Sequence, residues 1–153
     1  MRYIAELVTP GYYAADIGTD HGFVPVYLIK GDISPRALAV DVSEGSLLKA
    51  QELVARMGLE DRIECRLSDG FQKIEPYEVD CAIIAGMGGI LMSNILESGA
   101  AVLESLKEII VSPHRDAPLV RTVLEEHGFR IVSDEVIEDK NKKYTVIKAC
   151  NTR

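Results

Sequence analysis

The sequence predicts an α/β fold organised around a seven-stranded, mostly parallel sheet that closes with an antiparallel hairpin. Three observations carry this reading. Short runs rich in Val, Ile and Ala alternate with longer amphipathic stretches, the pattern of repeated β-α units. At 153 residues, 47% hydrophobic and 27% charged, the chain can bury a full core without disulfides or metals. The last two apolar runs, Phe129 to Glu138 and Lys143 to Ala149, are separated only by the polar turn Asp139 to Lys142, which reads as a hairpin.

Taken in order, Tyr13 to Ile17 reads as a buried strand that runs into the turn Gly18-Thr19-Asp20-His21-Gly22. A helix follows from about Val24 to Lys30, with Pro25 in its first turn. Arg36 to Val42 is the second strand. The helix after it spans Ser43 to Met57, with Leu47, Leu48, Ala50, Leu53, Val54 and Met57 at helical spacing, Ser43 as N-cap and Gly58 as terminator. Arg62 to Leu67 alternates apolar with charged residues, as a strand near a sheet edge does, whereas Val79 to Ala85 is apolar on both faces and reads as central. A further helix is expected between these two strands, and another over Ile90 to Ser98 after Gly86-Met87-Gly88-Gly89. Glu108 to Ser112 is the fifth strand, and Asp116 caps a helix running to His127, which Gly128 ends. Residues 1–153 read as one domain with no linker, repeat or low-complexity segment. An α/β chain closed by a hairpin has the outline of a Rossmann-like class I methyltransferase core.

Composition narrows the partners. The net charge is −7, from 17 basic and 24 acidic residues; the last 53 residues carry nine of each sign, so the acidic excess lies in the first hundred. Overall charge therefore argues against a large polyanion held by this chain alone, leaving local patches such as Lys140, Lys142 and Lys143. Cys65, Cys81 and Cys150 are odd in number, widely spaced and set among apolar neighbours, as reduced thiols of a cytoplasmic protein are. No stretch reaches the roughly 20 apolar residues of a membrane span, and Glu6 and Pro10 interrupt any export signal.

The chemistry concentrates at expected C-terminal strand ends, where open α/β sheets bind ligands. Asp16 and Gly18 end the first strand; glycine there permits close backbone approach, and Asp16 can accept from an amino group or from loop amides. Asp20 stands where a dinucleotide site would receive pyrophosphate and would repel it, which points to a cationic or zwitterionic ligand; a purely structural Asp-Gly turn is the other reading. Asp41 ends the second strand about twenty residues later, the spacing at which an acidic side chain accepts both ribose hydroxyls of a nucleoside. Asp69, before Gly70 and just past the third strand, can take the exocyclic amine of an adenine. Each carboxylate alone also reads as a cap or turn residue. Ala85 and Gly86 end the fourth strand, where the glycine permits a tight turn against cofactor or substrate, or simply into the next helix. His21, His114 and His127 lack the spacing of a metal pair, so no metal is expected; His21 and His114 fall at strand ends, where they face substrate or solvent.

These residues are specific enough to suggest a family. The segments Asp16-Ile17-Gly18-Thr19-Asp20-His21, Pro25-Val26-Tyr27-Leu28, Leu59-Glu60-Asp61-Arg62-Ile63, Ser68-Asp69-Gly70 and Ile84-Ala85-Gly86-Met87-Gly88-Gly89, together with Asp41, resemble the bacterial tRNA (adenine-22-N1)-methyltransferases of the TrmK type. The resemblance implies S-adenosyl-L-methionine as cofactor and tRNA as partner. It places Asp16, Gly18, Asp41, Asp69 and Gly70 around the cofactor, and Asp20, His21 and Tyr27 toward the target adenine. Asp20 is then assigned as the catalytic carboxylate, with binding of the cofactor's ammonium or capping of the next helix as its alternatives. Two departures stand out. Members carry Gln-Pro-Asn after the fifth strand where this chain has Ser112-Pro113-His114, and they continue into a C-terminal helical domain that helps grip tRNA, whereas this sequence ends at Arg153. Weak, steeply salt-dependent tRNA binding is therefore expected of these 153 residues. The alternative function is a cofactor-binding module that needs a partner for RNA. A nicotinamide-dependent dehydrogenase is disfavoured by Asp20 and the terminal hairpin.

Overall fold

Alternate side chains of each central strand enter two separate cores. In the computed structural model, which describes residues 1–153, Ala15, Ile17, Leu38, Val40, Ala82, Ile84, Ile109 and Val111 pack on one side of the sheet, and Ala14, Ala37, Ala39, Cys81, Ile83 and Ile110 on the other. The strands are β1 (Ala14–Ile17), β2 (Ala37–Asp41), β3 (Ile63–Leu67), β4 (Cys81–Met87), β5 (Glu108–Pro113), β6 (Phe129–Asp139) and β7 (Lys142–Asn151). Helices α1 (Arg2–Glu6), α2 (Phe23–Lys30) and α3 (Glu44–Arg56) cover the second side, and α4 (Gly89–Ser98), α5 (Ala100–Ser105) and α6 (Ala117–Glu126) the first. Each fully buried Ile or Leu in these layers stabilises the fold by about 1.5–3 kcal/mol.

The sheet order is β3-β2-β1-β4-β5-β7-β6. The first five strands are parallel, and β7 returns antiparallel between β5 and β6. The alternating strand β3 lies at an edge, while β4, apolar on both faces, lies between β1 and β5. Chain direction reverses its spread between β1 and β4, which makes their C-terminal ends a topological switch point. No helix is long and apolar enough to cross a membrane.

Several local expectations are corrected. No helix forms between β3 and β4; residues 68–80 are turns and bends, held partly by the Ser68 hydroxyl, which donates to Gly70 O at 2.9 Å and accepts from Lys73 N at 3.0 Å. Two short helices, α1 and α5, were not anticipated from the pattern, because five or six residues are too few to show a helical period. Strand β4 continues past Gly86, which adopts φ +79° in a bulge between Ala85 and Met87, so the expected turn starts later and α4 begins at Gly89. Ser43 does cap α3, accepting from Ser46 N at 3.3 Å, but Asp116 occupies the α6 N-cap position with φ +58° and no capping bond from its side chain. The hairpin turn is the two-residue pair Lys140-Asn141, with φ +51° and +64°, the left-handed geometry that matches the twist of flanking strands. All three cysteines are free; Cys81 is buried, whereas Cys65 and Cys150 are half-buried.

Candidate active site

The loop leaving β1 is pinned to β2. Gly18 N and Thr19 N both donate to Val40 O, at 2.9 and 2.8 Å, and this tight turn requires Gly18 at φ +80°. Asp41, at the end of β2, then holds two backbone amides in its carboxylate: Asp20 N on Oδ2 at 3.0 Å and Ser43 N on Oδ1 at 2.9 Å. Because a carboxylate has about four acceptor positions, Asp41 retains two for a ligand. Asp20 itself sits at φ +59° with its side chain 63% exposed, and His21 Nδ1 lies 2.9 Å from its Oδ2. The His21 ring stacks on Phe23 with centroids 5.4 Å apart.

Asp16 projects from β1 beneath this loop and is only 5% exposed. Burial pushes its carboxyl up to about 7, opposed by the adjacent Thr19 hydroxyl and reinforced by the Asp41 charge; no cation is among the groups acting on it. The Thr19 hydroxyl is buried beside it and has no other hydrogen-bond partner. The buried Asp16 carboxyl and Thr19 hydroxyl thus lie side by side with no cation against them, beneath the loop that carries the exposed carboxylate of Asp20. The ensemble is electronegative, which suits a cationic ligand and disfavours phosphate.

A cavity of about 530 Å³, within the range that accepts a nucleobase-sized ligand, lies at the ends of the neighbouring strands β4 and β5, and none of Asp16, Asp20 and Asp41 lines it. Its floor is Ala85 and Gly86 near the end of β4 with Ser112 near the end of β5 and His114 just after it; its walls are α1 and the β6–β7 hairpin, including Tyr3, Glu138, Asp139 and Tyr144. Ser112 is not free to act on a ligand, since its hydroxyl donates to Thr145 O at 2.8 Å. Tyr27 does not line the cavity. It donates to Glu6 Oε1 at 2.8 Å and so stands behind the α1 wall, whose Arg2 pairs with the same oxygen at 3.1 Å. Asp69 and Gly70 line a separate recess of about 200 Å³ between the β3 end and α4.

The structure thus brings Asp16, Gly18, Asp20, His21 and Asp41 together around one loop and sets Ala85, Gly86 and His114 against the large cavity. Sequence reasoning missed Tyr3, Glu6, Glu138, Asp139 and Tyr144. The Arg2–Glu6 pair, at helical i, i+4 spacing, was the one trace of α1 in the sequence. Nothing local foretold that the Tyr3 hydroxyl would donate to Glu135 Oε2 at 2.7 Å and dock α1 against the hairpin.

A doubly wound sheet with an antiparallel last strand, carrying carboxylates at its first two strand ends, has the architecture of a class I methyltransferase. The profile of the family described as methyltransferase domain matches residues 1–147. The tRNA (adenine(22)-N(1))-methyltransferase of Bacillus subtilis is 32% identical over 149 residues, 97% of this chain and 63% of that protein. Among solved structures, Sp1610 of Streptococcus pneumoniae in complex with S-adenosyl-L-methionine is 32% identical, with a TM-score of 0.92 over 97% of this chain and 70% of that one. The Bacillus subtilis M1A22 tRNA methyltransferase TrmK is 31% identical, with a TM-score of 0.92 over 98% of this chain and 64% of that one. The chain belongs to the methyltransferase-domain family, and it is similar at 31–32% identity to the Bacillus subtilis enzyme and to Sp1610. It spans a little under two thirds of the length of the curated TrmK relative.

Proposed function

We propose that the protein transfers a methyl group from S-adenosyl-L-methionine to N1 of an adenine in tRNA, position 22 by likeness to its relatives, and that it works in the cytoplasm. The observation that carries the reading is the placement of two features on either side of the switch point: the Asp16–Asp20–Asp41 cluster at the C-terminal ends of β1 and β2, and the large cavity at the ends of the neighbouring strands β4 and β5.

The residues present fit the cofactor. Asp16, which has no cation against it, with the buried Thr19 hydroxyl beside it, suits an ammonium group, the two free acceptor positions of Asp41 suit ribose hydroxyls, and Gly18, at φ +80°, brings bare backbone to the end of β1. When bound, S-adenosyl-L-methionine supplies an electrophilic methyl on a sulfonium. Adenine N1 brings an in-plane lone pair: the N1–C bond forms as the C–S bond breaks, its electron pair remaining on sulfur. No general base is needed, because N1 carries no proton at neutral pH. Positive charge then spreads toward the exocyclic amine. Asp20, exposed on the loop leaving β1, can accept from that amine and so stabilise the transition state more than the ground state. His21, held against Asp20 and Phe23, and His114, on the cavity floor, are positioned to orient the base.

The test is methyl transfer from isotopically labelled S-adenosyl-L-methionine to unmodified tRNA transcripts, with nucleoside mass spectrometry of the product. Label in 1-methyladenosine is the expected result. Calorimetric cofactor binding without any label in RNA would overturn the catalytic reading in favour of a cofactor-binding module.

A further inference from the structure

We propose that the tip of the β6–β7 hairpin is a phosphate clamp, in which Lys142 and Lys143 hold the RNA backbone beside the nucleotide whose base enters the 530 Å³ cavity. The inference rests on the RNA reading above and deepens it.

In a chain of net charge −7, Lys140, Lys142 and Lys143 place three ammonium groups within four residues, all exposed. Their surroundings leave them uncommitted. Asp139 and Glu138 are the cross-strand partners of Lys142 and Lys143, yet none of the three lysines forms an ion pair. Lys107 and Lys148, by contrast, pair with Asp80 and Glu108 at the opposite end of the sheet and serve the fold. The tip is also well placed to keep a geometry: the ladder is complete out to the Asp139–Lys142 pair, and a two-residue turn closes it.

The decisive feature is how the two grooves at this tip are arranged. Glu138 and Asp139 line the inner cavity, whereas Lys142 and Lys143, with Pro113, line an outer groove of about 450 Å³. His114 and Tyr144 wall both, so they form the partition. The hairpin tip therefore lends its two acidic residues to the inner cavity and its two lysines to the outer groove, with His114 and Tyr144 between the two. A nucleotide has the same polarity. An adenine offers its exocyclic N–H donors, which carboxylates accept, and a ribose away lies an anionic phosphate, which lysines attract. The outer groove thus supplies a local basic site in an otherwise acidic protein, at the one place where a phosphate would register the base with the cavity.

The experiment compares wild-type protein with Lys142→Gln/Lys143→Gln and with a charge-matched control, Lys49→Gln/Lys73→Gln, whose lysines are exposed away from the hairpin. Anisotropy with a labelled, unmodified tRNA transcript is read across a KCl series, and methylation is read as KM and kcat. In the hairpin variant the tRNA Kd and KM should rise about tenfold, the log-log salt slope should flatten by about two units, and kcat at saturating RNA and calorimetric S-adenosyl-L-methionine affinity should hold, with the control staying near wild type. Equal behaviour of the two variants would overturn the clamp while leaving the methyltransferase reading intact. Wild-type protein that binds cofactor but neither binds nor methylates RNA would overturn the RNA reading and the clamp with it.

Discussion

The carboxylate of Asp41 accepts the backbone N–H of Asp20 at 3.0 Å, across 21 residues of sequence. One side chain at the end of β2 thereby sets the loop that carries the proposed catalytic carboxylate. Its second oxygen holds Ser43 N at the start of α3. Asp41→Ala should weaken S-adenosyl-L-methionine binding by about 10- to 100-fold, the equivalent of about 1.5–3 kcal/mol for hydrogen bonds to a charged group. Calorimetry checks it, and unchanged affinity would remove Asp41 from the cofactor site.

The raised pKa of Asp16 has a sign that can be measured. A cofactor ammonium needs the carboxylate, and in the free protein that form dominates only above about 7. Affinity should therefore rise from about pH 5 to about pH 8 and then level, and in Asp16→Asn it should be weak and nearly flat over that range. Stability of the unliganded protein runs the other way. Between the ordinary 3.8 and about 7 the folded state binds more protons than the unfolded one, so stability falls as pH rises through that window. Urea titrations of wild type and Asp16→Asn should converge at low pH and diverge toward neutrality, with wild type losing more.

Asp20 holds a left-handed backbone, φ +59°, which Asn tolerates and most other residues do not. Asp20→Asn thus removes charge while keeping the loop. Methylation should slow by about 10²–10³ with cofactor affinity within a few-fold of wild type. Parallel loss of cofactor binding would reassign Asp20 to the cofactor's ammonium, and near-normal turnover would exclude it from the mechanism.

Gly89 opens α4 where a Cβ would lie 2.6 Å from the carbonyl oxygens of both Arg115 and Asp116, and its N–H donates to Arg115 O at 2.9 Å. Both obstacles are backbone and cannot swing aside. Gly89→Ala should destabilise by about 1–3 kcal/mol, lowering Tm by several degrees. Gly58→Ala, at φ +70° with open space around it, should cost only the backbone strain of about 1–2 kcal/mol. A Gly89→Ala variant as stable as wild type would show that the α6 approach is free to move.

Much of this protein could be read locally. The alternation Arg62 to Leu67 placed β3 at an edge and the unbroken apolar run of β4 placed it centrally, because burial on one or two faces writes itself into a two-residue period. Ser43 as cap and a hairpin turn within Asp139 to Lys142 are likewise legible, since each depends on residues within a few positions. Helix α1 and the failure of Asp116 to cap were not, because the first is too short for a period and the second depends on how the loop from β5 meets Gly89.

What the amino-acid sequence determined by itself is the seven strands, the longer helices, the hairpin ending and the carboxylates at the strand ends, all of which follow from local sterics and hydrophobic period. Only tertiary structure decided that Tyr3 would meet Glu135, 132 residues away, that Glu138 and Asp139 would line one groove and Lys142 and Lys143 another, and that Asp16 would be dry enough to hold its proton near neutrality. Those outcomes depend on which distant segments exclude water from one another, and no periodicity along the chain encodes that.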